Sequence, residues 1–581
     1  MALRTSESPA VTIREVDLSG IVPAVSSSTG ALVGDFNWGP LKQPILVGNE
    51  AELIANFGAP TLVEDSNNVD FLSAASFLKY SGTLQVVRGK GPDESNAIDS
   101  SVGTQLVENL ADWNTKKSGL ATGTTRFVAK YAGKAGNSLQ VSVCPWSTNN
   151  DSAFENWAYK ANFDGAPGTS SFVTARSADG AAAHDEIHVA IVDQDGKFSG
   201  SPGTVLETWD FLSLATDAKA DDGTNNFCLD VLNSKSDFVW ASSINPQQPT
   251  NVTAADFGTS TVSGTGFNAR TASFTGGDQS TYLNNAAYDS AFASFEDEDN
   301  IQVDFLIAPG LATTQDQDTI SERLIEIASA RKDCVVVTSP PKESIVDVQN
   351  SNTIVTNVTT FAKGVTNSSY LIVDGNWLKV YDKYNDKYVY IPAASSTAGL
   401  MAATDEVSAP WFSPAGNRRG QYFGVSSLAW NPTKSQRDTL YKASVNPIVN
   451  LPGQGVILFG DKTKLNRPSA FDRINVRRLF LVMERAIKSA AQNVMFEFND
   501  DFTRAEFVNI VEPFLRDIKG RRGISDFRVV CDETNNTSDV IDNNQFVADI
   551  FVKPARSINY VTLSFVAVRT GVDFEEVVGL A

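Results

Sequence analysis

The sequence predicts a mixed α/β (α+β) multidomain protein with discontinuous core domains, a mostly β inserted outer domain and extended terminal arms. The chain has 581 residues, more than one hydrophobic core accommodates, so about three or four domains are expected. Strand and helix patterns alternate on both sides of a long stretch rich in Ser, Thr, Gly and Asn, as in a layered fold with an insertion. Both ends of the chain have strand-like patterns.

Residues 1–23 form the predicted N-terminal arm. Apolar residues alternate with polar ones as they do along one side of a strand, and prolines at positions 9 and 23 bracket the segment. The apolar residues of the arm are Val11, Ile13, Val16 and Leu18.

A discontinuous α/β middle domain is predicted from residues 24–90 together with 281–460. The first part has short apolar strands and a helix that begins at Asn49 and ends at Gly58. The second part has the buried strand DFLIAP, a helix over 319–333 and the strand CVVVTSPP. A strand–helix–strand connection of this kind is expected to be right-handed.

Residues 91–280 are predicted to form the inserted outer domain. Short strands such as EIHVAIVD (186–193) lie among Ser, Thr, Gly, Asn and Asp. Insertions of this kind favour surface loops of a host domain, so deletion of about 120–250 is expected to leave the remainder folded.

Residues 461–581 form a predicted C-terminal α+β domain that ends in a C-terminal arm. An amphipathic helix over 475–490 is followed by a second helix, which is expected to begin at a capping box of Thr503 with Glu506. Three strands are predicted after it, and the last, within 557–568, is apolar on both faces. Such a strand requires cover on both sides. The residues of this strand that are expected to contact neighbouring subunits are Ile558, Tyr560, Val561, Leu563 and Phe565.

Basic residues lie off the apolar stripe of the helix over 475–490. Residues 461–528 contain fourteen Lys or Arg against ten Asp or Glu, which suggests a contact surface for an acidic neighbour, although helix capping and solubility explain single residues equally well. The residues expected to face the neighbour are Arg477, Arg478, Arg485 and Lys488, and a second basic group is Arg516, Lys519, Arg521 and Arg522.

The charge of the whole chain is −21, which disfavours direct nucleic-acid binding and an anionic membrane surface. No apolar run approaches the ~20 residues that span a bilayer, and the N-terminus lacks a secretory pattern, so a soluble protein is expected.

The four cysteines have no CxxC pair and are expected to be buried thiols.

Catalytic and metal-binding motifs are weak. HDEIH has Asp185 where a metalloprotease helix requires Glu, and the residues after it alternate as a strand does, so a surface strand is favoured over a metal site. Phosphate-loop motifs do not align, and the acidic run 294–300 lacks the spacing of a calcium loop. No catalytic residue, metal or cofactor is predicted. The alternatives from other classes are an α/β hydrolase-like enzyme on residues 304–341, without GxSxG, and a receptor-binding protein.

The chain resembles the tail sheath proteins of T4-like contractile phages. The resemblance is densest in FDRINVRRLF, in the run RVVCDETNNTSDVIDNNQFVADIFVKPARSINYVTLSF and in TGVDFEE. It continues in YDKYND, SPAGNRRGQ and QRDTLYKASVNP, and at the other end in STGALVGDFNWGP and the spacing NE..LI..FG. Residues 91–280 match weakly.

The resemblance implies a structural protein that forms stacked hexameric discs wound around a tail tube, and that contracts without nucleotide to drive the tube through the host envelope. The terminal arms of that family cross to neighbouring subunits and complete a shared β-sheet. The implied partners are other copies of the chain, the tail tube protein, and the baseplate and tail terminator proteins. The implied location is the virion tail, assembled in the host cytoplasm. The alternative within this class is the sheath of a phage-derived injection device or bacteriocin.

Overall fold

The computed structural model describes residues 28–60, 66–99, 105–121, 126–146, 152–178, 182–244, 253–256, 269–280 and 282–557. These residues form two compact units. The core unit comprises the described residues up to 410 and those of 414–486. The C-terminal unit comprises 411–413 and 487–557. The predicted arm residues Val11, Ile13, Val16, Leu18, Ile558, Tyr560, Val561, Leu563 and Phe565 lie outside the described residues.

The core unit begins with the alternating strands and helices that the sequence predicts. In chain order they are β1 (Gly30–Gly34), β2 (Pro44–Val47), α1 (Glu50–Phe57), α2 (Ser66–Leu78) and β3 (Leu84–Arg88). Asn49 caps α1, since its side chain accepts a hydrogen bond from the Glu52 N–H, and Gly58 follows the helix with a φ of 75°. A side-chain acceptor at the first turn and a glycine after the last are typical helix ends.

The inserted segment contributes both strands and helices. They are α3 (Leu110–Ala121), β4 (Phe127–Ala129), β5 (Leu139–Pro145), α4 (Ser152–Glu155), α5 (Ser171–Thr174), β6 (Glu186–Asp193), β7 (Thr204–Ser213), α6 (Cys228–Lys235), β8 (Val239–Ala241) and β9 (Arg270–Ser273). An antiparallel sheet of order β7–β6–β5–β9 lies at its centre, and β4 pairs with β8. The predicted strand 186–193 is observed with the same bounds.

The core unit continues after the inserted segment. The elements are α7 (Asn285–Phe292), β10 (Phe305–Ile307), α8 (Thr314–Arg331), β11 (Val335–Thr338), α9 (Lys342–Ile345), α10 (Ser351–Gly364), β12 (Leu371–Val373), β13 (Trp377–Asp382), β14 (Lys387–Pro392), α11 (Ala394–Val407), β15 (Val425–Leu428), α12 (Lys434–Lys442), β16 (Ile448–Leu451), β17 (Gly455–Leu458) and α13 (Ile474–Gln492). Helix α8 begins earlier than the predicted 319, because Thr313 caps a polar first turn that has no apolar period.

One six-stranded sheet joins the two separated parts of the core unit. Its order is β12–β11–β10–β1–β3–β2, with all neighbours parallel except β2 with β3. Alternate residues of the strands enter two different cores: Val33 and Leu306 pack with α7, α8 and α10, whereas Leu32 and Phe305 pack with α2 and α11. A parallel sheet covered on both faces explains why its strands β1, β10 and β12 contain no polar side chain.

The C-terminal unit is built on a helix and a two-stranded sheet. Its elements after α13 are α14 (Asp501–Gly520), β18 (Ile524–Val530), α15 (Ser538–Asp542) and β19 (Asp549–Pro554). This unit begins at Ile487, inside α13. The domain boundary expected at residue 461 stays a prediction. The predicted capping box is wrong, because the Asp500 carboxylate accepts from the Thr503 N–H while Thr503 itself is inside the helix.

Candidate assembly surfaces

The arginines of α13 do not form an outward basic face. Arg477 and Arg478 are buried and Arg485 is half-buried, whereas Lys488 is exposed. The prediction that all four face a neighbour is therefore wrong for the three arginines. An arginine outside the apolar stripe of a helix can still be buried, provided that carbonyl and carboxylate oxygens accept hydrogen bonds from its guanidinium N–H groups.

Arg485 shows how this burial is compensated. Its guanidinium donates to the Asp304 carboxylate at 2.5 Å and to the Asp333 carbonyl at 2.7 Å. The Asp304 carboxylate also accepts from the Thr29 N–H at 2.9 Å. Burial raises the pKa of Asp304 to about 6, although Arg485 lowers it in opposition. The pair fixes α13 to the start of β10.

The two other arginines bind parts of the same unit. Arg478 pairs with Asp405, donates to the Met401 carbonyl at 3.1 Å, and lies 4.9 Å from the centre of the Phe305 ring. Arg477 donates to the Ser369 hydroxyl at 2.6 Å and lies about equally far from two aromatic rings. Those rings belong to Tyr370, at 4.3 Å, and Phe471, at 4.2 Å. The contacts of Arg477 and Arg478 are thus internal to the core unit and serve packing.

The sheet of the C-terminal unit offers a surface for strand addition. In the described residues β18 and β19 pair only with each other, with Phe527 opposite Val552 and Val529 opposite Ile550. Residues of β19 alternate between exposed and half-buried. Unpaired strand edges present main-chain donors and acceptors to an incoming strand.

Sequence reasoning missed a group of exposed, mainly aromatic side chains that extends from the segment after α13 into the first turn of α14. Its members are Met495, Phe496, Phe498 and Phe502, which we name the aromatic knob, and all four are exposed. The run MFEFNDDF, in which aromatic and acidic residues alternate without helical period, was the signal that could have revealed it. The second basic group is exposed as well, at Arg516, Lys519, Arg521 and Arg522.

The last three residues of the histidine motif, Glu186 to His188, lie on strand β6 as predicted, whereas the half-buried His184 precedes the strand. His188 is buried and not at the surface. His188 is 0% exposed. Its Nδ1 accepts from the Phe211 N–H at 3.1 Å, so Nε2 carries the proton and donates to the Gly165 carbonyl at 2.8 Å. Burial lowers the pKa of His188. Both ring nitrogens are therefore used by the fold, and within the described residues no group of three potential ligands surrounds a metal position.

The region proposed for a hydrolase has polar residues at the carboxyl ends of its strands, where α/β enzymes place their sites. The Ser339 hydroxyl donates to the buried Asp374 carboxylate at 2.8 Å and accepts from the Ala394 N–H at 2.9 Å. Burial raises the pKa of Asp374 to about 7. Both side chains are at most 1% exposed. They fix the start of α11 to the sheet and do not open to a cleft.

The cysteines agree with the prediction of buried thiols. Cys144, Cys228, Cys334 and Cys531 are all free and buried. Among the helices that the structure describes, none combines the length and the apolar character needed to cross a membrane.

Three family models match the chain. Residues 27–88 match the tail sheath protein Gp18 domain III N-terminal region, 282–464 the phage tail sheath protein central domain, and 466–567 the phage tail sheath C-terminal domain. The unmatched stretch between residues 88 and 282 corresponds to the inserted segment.

Similar proteins extend this match over the whole chain. The chain is 31% identical to the tail sheath protein of Enterobacteria phage T4, over 99% of each protein, and 32% identical to that of Salmonella phage ViI, over 94% of each. Among solved structures, the sheath tail protein of Listeria innocua has a TM-score of 0.52 at 11% identity, covering 92% of this chain and 96% of that one. The sheath tail protein of Desulfitobacterium hafniense has a TM-score of 0.50 at 12% identity, covering 94% of this chain and 100% of that one. The chain belongs to the phage tail sheath protein family.

Proposed function

We propose that the chain is the repeating subunit of a contractile tail sheath, which polymerises as stacked hexameric discs around a tail tube and shortens to drive the tube through the host envelope. The observation that carries this proposal is identity of about one third to tail sheath proteins over nearly the whole chain. The partners are other copies of the chain, the tube protein, and the baseplate and terminator proteins. Assembly takes place in the host cytoplasm.

The arms supply the links between copies. Residues 1–23 and 558–581 carry strand patterns in their sequences, and β18–β19 offers unpaired edges among the described residues. An added strand contributes about 0.5 to 1.5 kcal/mol for each main-chain hydrogen bond. Links of this strength, repeated through a lattice, hold subunits together while their other interfaces rearrange during contraction.

Contraction in this proposal takes its free energy from subunit packing. The extended sheath is assembled in a packing of higher free energy and relaxes to a second packing when it is triggered. Two discrete arrangements of packed surfaces behave as a bistable system, so no bound nucleotide is required for the change. The histidine and Ser339–Asp374 geometries support a structural role for the polar core groups.

Negative-stain electron microscopy of the purified chain tests the proposal. We expect tubes of constant diameter, formed alone at high concentration or on added tail tubes, with six-fold symmetry in end views. A variant that lacks residues 1–18 provides the control, since it retains both described units. Compact particles alone, in every condition and also in the presence of tail tubes, would contradict the proposal.

A further inference from the structure

The aromatic knob is an unusually exposed apolar surface of the C-terminal unit. Phe496 is 100% exposed, Phe498 84% and Phe502 76%, and Met495 precedes them at 58%. Phe496 also has a φ of 72°, a backbone conformation that costs free energy for a bulky residue. Several exposed large apolar side chains close together in the sequence, one of them in strained backbone, favour an interaction site.

Hydrogen bonds within the C-terminal unit fix the position of the aromatic knob. The side-chain amide of Asn499 donates to the Gln545 carbonyl at 2.8 Å, and the Arg504 guanidinium donates to the Asn499 side-chain oxygen at 2.8 Å. Asp500 caps the first turn of α14. The segment before α14 is therefore hydrogen-bonded to the residues that precede β19. These hydrogen bonds fix the backbone that carries the aromatic side chains.

Charge differs between the two ends of α14. Exposed Glu497 and Glu506 flank the knob at the beginning of the helix, and Arg504 is buried against its own neighbours. The other end carries exposed positive charge at Arg516, Lys519, Arg521, Arg522 and Arg528. Although Arg516, Lys519 and Arg521 have local carboxylate partners, the structure shows no ion pair for Arg522 or Arg528 among the described residues.

The two ends are too far apart to meet within one chain. Helix α14 has 20 residues, and at 1.5 Å per residue its ends are about 30 Å apart. At the basic end, Arg521 lies 4.9 Å from the Trp411 ring and Lys519 lies 6.0 Å from the Phe527 ring. Aliphatic stems and rings thus provide apolar surface below the positive charges.

We propose that the aromatic knob of one copy docks on the basic end of α14 in a second copy. Phe498 and Phe502 contact the arginine stems and Phe527 of the second copy, and Glu497 and Glu506 lie against Arg522 and Arg528. Such a contact joins different surfaces of identical chains, so it repeats head to tail and generates rings or helical arrays. The inference rests on the proposed sheath function and specifies a contact within it.

A cysteine pair tests the contact in assembled tubes. Phe498→Cys with Arg522→Cys should give a ladder of covalent multimers under mild oxidation, because the native cysteines are buried. Each single variant, and Phe498→Cys with Tyr388→Cys at an exposed site of the core unit, should give at most one-tenth of that yield. Tubes that form normally but give no ladder would overturn the contact and leave the sheath function intact.

Charge reversal provides an independent measurement. Arg522→Glu with Arg528→Glu should lower the yield of tubes at least tenfold at low salt, and adding Glu497→Lys with Glu506→Lys should restore most of it. Circular dichroism establishes that each variant is folded. Normal assembly by the Arg522→Glu, Arg528→Glu variant would show that another segment covers the knob. The same conclusion would follow if the added Glu497→Lys and Glu506→Lys changes failed to restore assembly, or if Phe498→Cys formed a ladder with Ile13→Cys. A wild-type chain that forms no tubes would reject the sheath function and the contact together.

Discussion

Arg485 and Asp304 form a largely buried ion pair, with 2.5 Å between the guanidinium nitrogen and the carboxylate oxygen. Their side chains are 15% and 8% exposed. The pair lies between α13 and the residue that precedes β10, so it connects the last helix of the core unit to its central sheet. A charge in this position serves the fold, although the helix pattern alone suggested an outward role.

Replacement of Arg485 by Met should destabilise the core unit. It leaves the Asp304 carboxylate buried, with a hydrogen bond from the Thr29 N–H but without its ion-pair partner, and breaking a buried pair typically costs about 3–5 kcal/mol of unfolding free energy. The double variant Arg485→Met, Asp304→Asn should recover part of that loss. Urea unfolding measures both, with exposed Arg516→Met as the control, expected to change stability by under about 0.5 kcal/mol. Equal stability of Arg485→Met and wild type would contradict the structural role.

Asp70 should make stability depend on pH in an unusual direction. Burial raises the pKa of Asp70 to about 8 from 3.8, against the hydrogen bond from the Asp35 N–H. The folded state therefore keeps a proton that the unfolded state loses, and the unfolding free energy falls as pH rises from about 4 to about 8. The slope for one proton is about 1.4 kcal/mol per pH unit.

The variant Asp70→Asn stays neutral and should lose this contribution to the slope. Relative to wild type, its stability should rise between pH 5 and pH 8, as measured by urea unfolding at several pH values. The difference between the two proteins is the useful quantity, because Asp374 and Glu94 have raised pKa values of about 7 and contribute in the same direction. Parallel pH profiles for the two proteins would show that Asp70 is ionised in the folded state. Asp164→Asn, at an exposed position, serves as the control.

The inserted segment should be removable at its base and not at residues 120 and 250. Ser95 and Asp278 exchange two main-chain hydrogen bonds, of 3.0 and 3.1 Å, so their backbones are adjacent and a two-glycine link can replace 96–277. A cut at 120–250 instead removes β8 and with it Trp240, which stacks on Trp113 at 5.6 Å, and leaves α3 without its packing partner.

We expect the base deletion to fold and to form tubes, whereas the 120–250 deletion aggregates. Trp38 should be changed to Gln in the base deletion, since that ring packs against Tyr131 and Phe198 of the removed segment. Melting curves and electron microscopy compare the two proteins. If both deletions unfold, the rest of the core unit cannot fold without the inserted segment.

Removal of residues 1–18 should abolish tubes while leaving the melting temperature within a few degrees of wild type. The segment lies outside the described residues, and the expectation comes from its alternating apolar residues and from the unpaired edges of β18–β19. Light scattering should give the mass of a monomer. A matched variant with Ser6 and Ser8 changed to Ala keeps the apolar pattern and should polymerise. Polymerisation by the truncated chain, or its failure to fold, would exclude the arm as an assembly strand.

Local signals in the sequence predicted several elements of the described residues, mainly near the two ends of the chain. Asn49 and Gly58 mark the ends of α1, and the strand over 186–193 has its predicted bounds. These features depend on residues a few positions apart, through caps and alternation, so a short window contains the information. The mixed α/β class followed from the same patterns, and the family from longer strings near both ends of the chain.

The sequence by itself determined the fold class, the family and the positions of several strands and helices, because periodicity and capping act locally. Tertiary structure alone decided the environment of charged and aromatic side chains. Arg477, Arg478 and Arg485 share the pattern of a solvent-facing basic group. Arg478 and Arg485 nevertheless pair with distant carboxylates, and Arg477 is buried against the Ser369 hydroxyl and two aromatic rings. His188 lies on a strand that appeared superficial, and Phe496 and Phe498 are exposed although aromatic residues are usually buried. Burial depends on which segments meet in three dimensions, and residues hundreds of positions apart decide that.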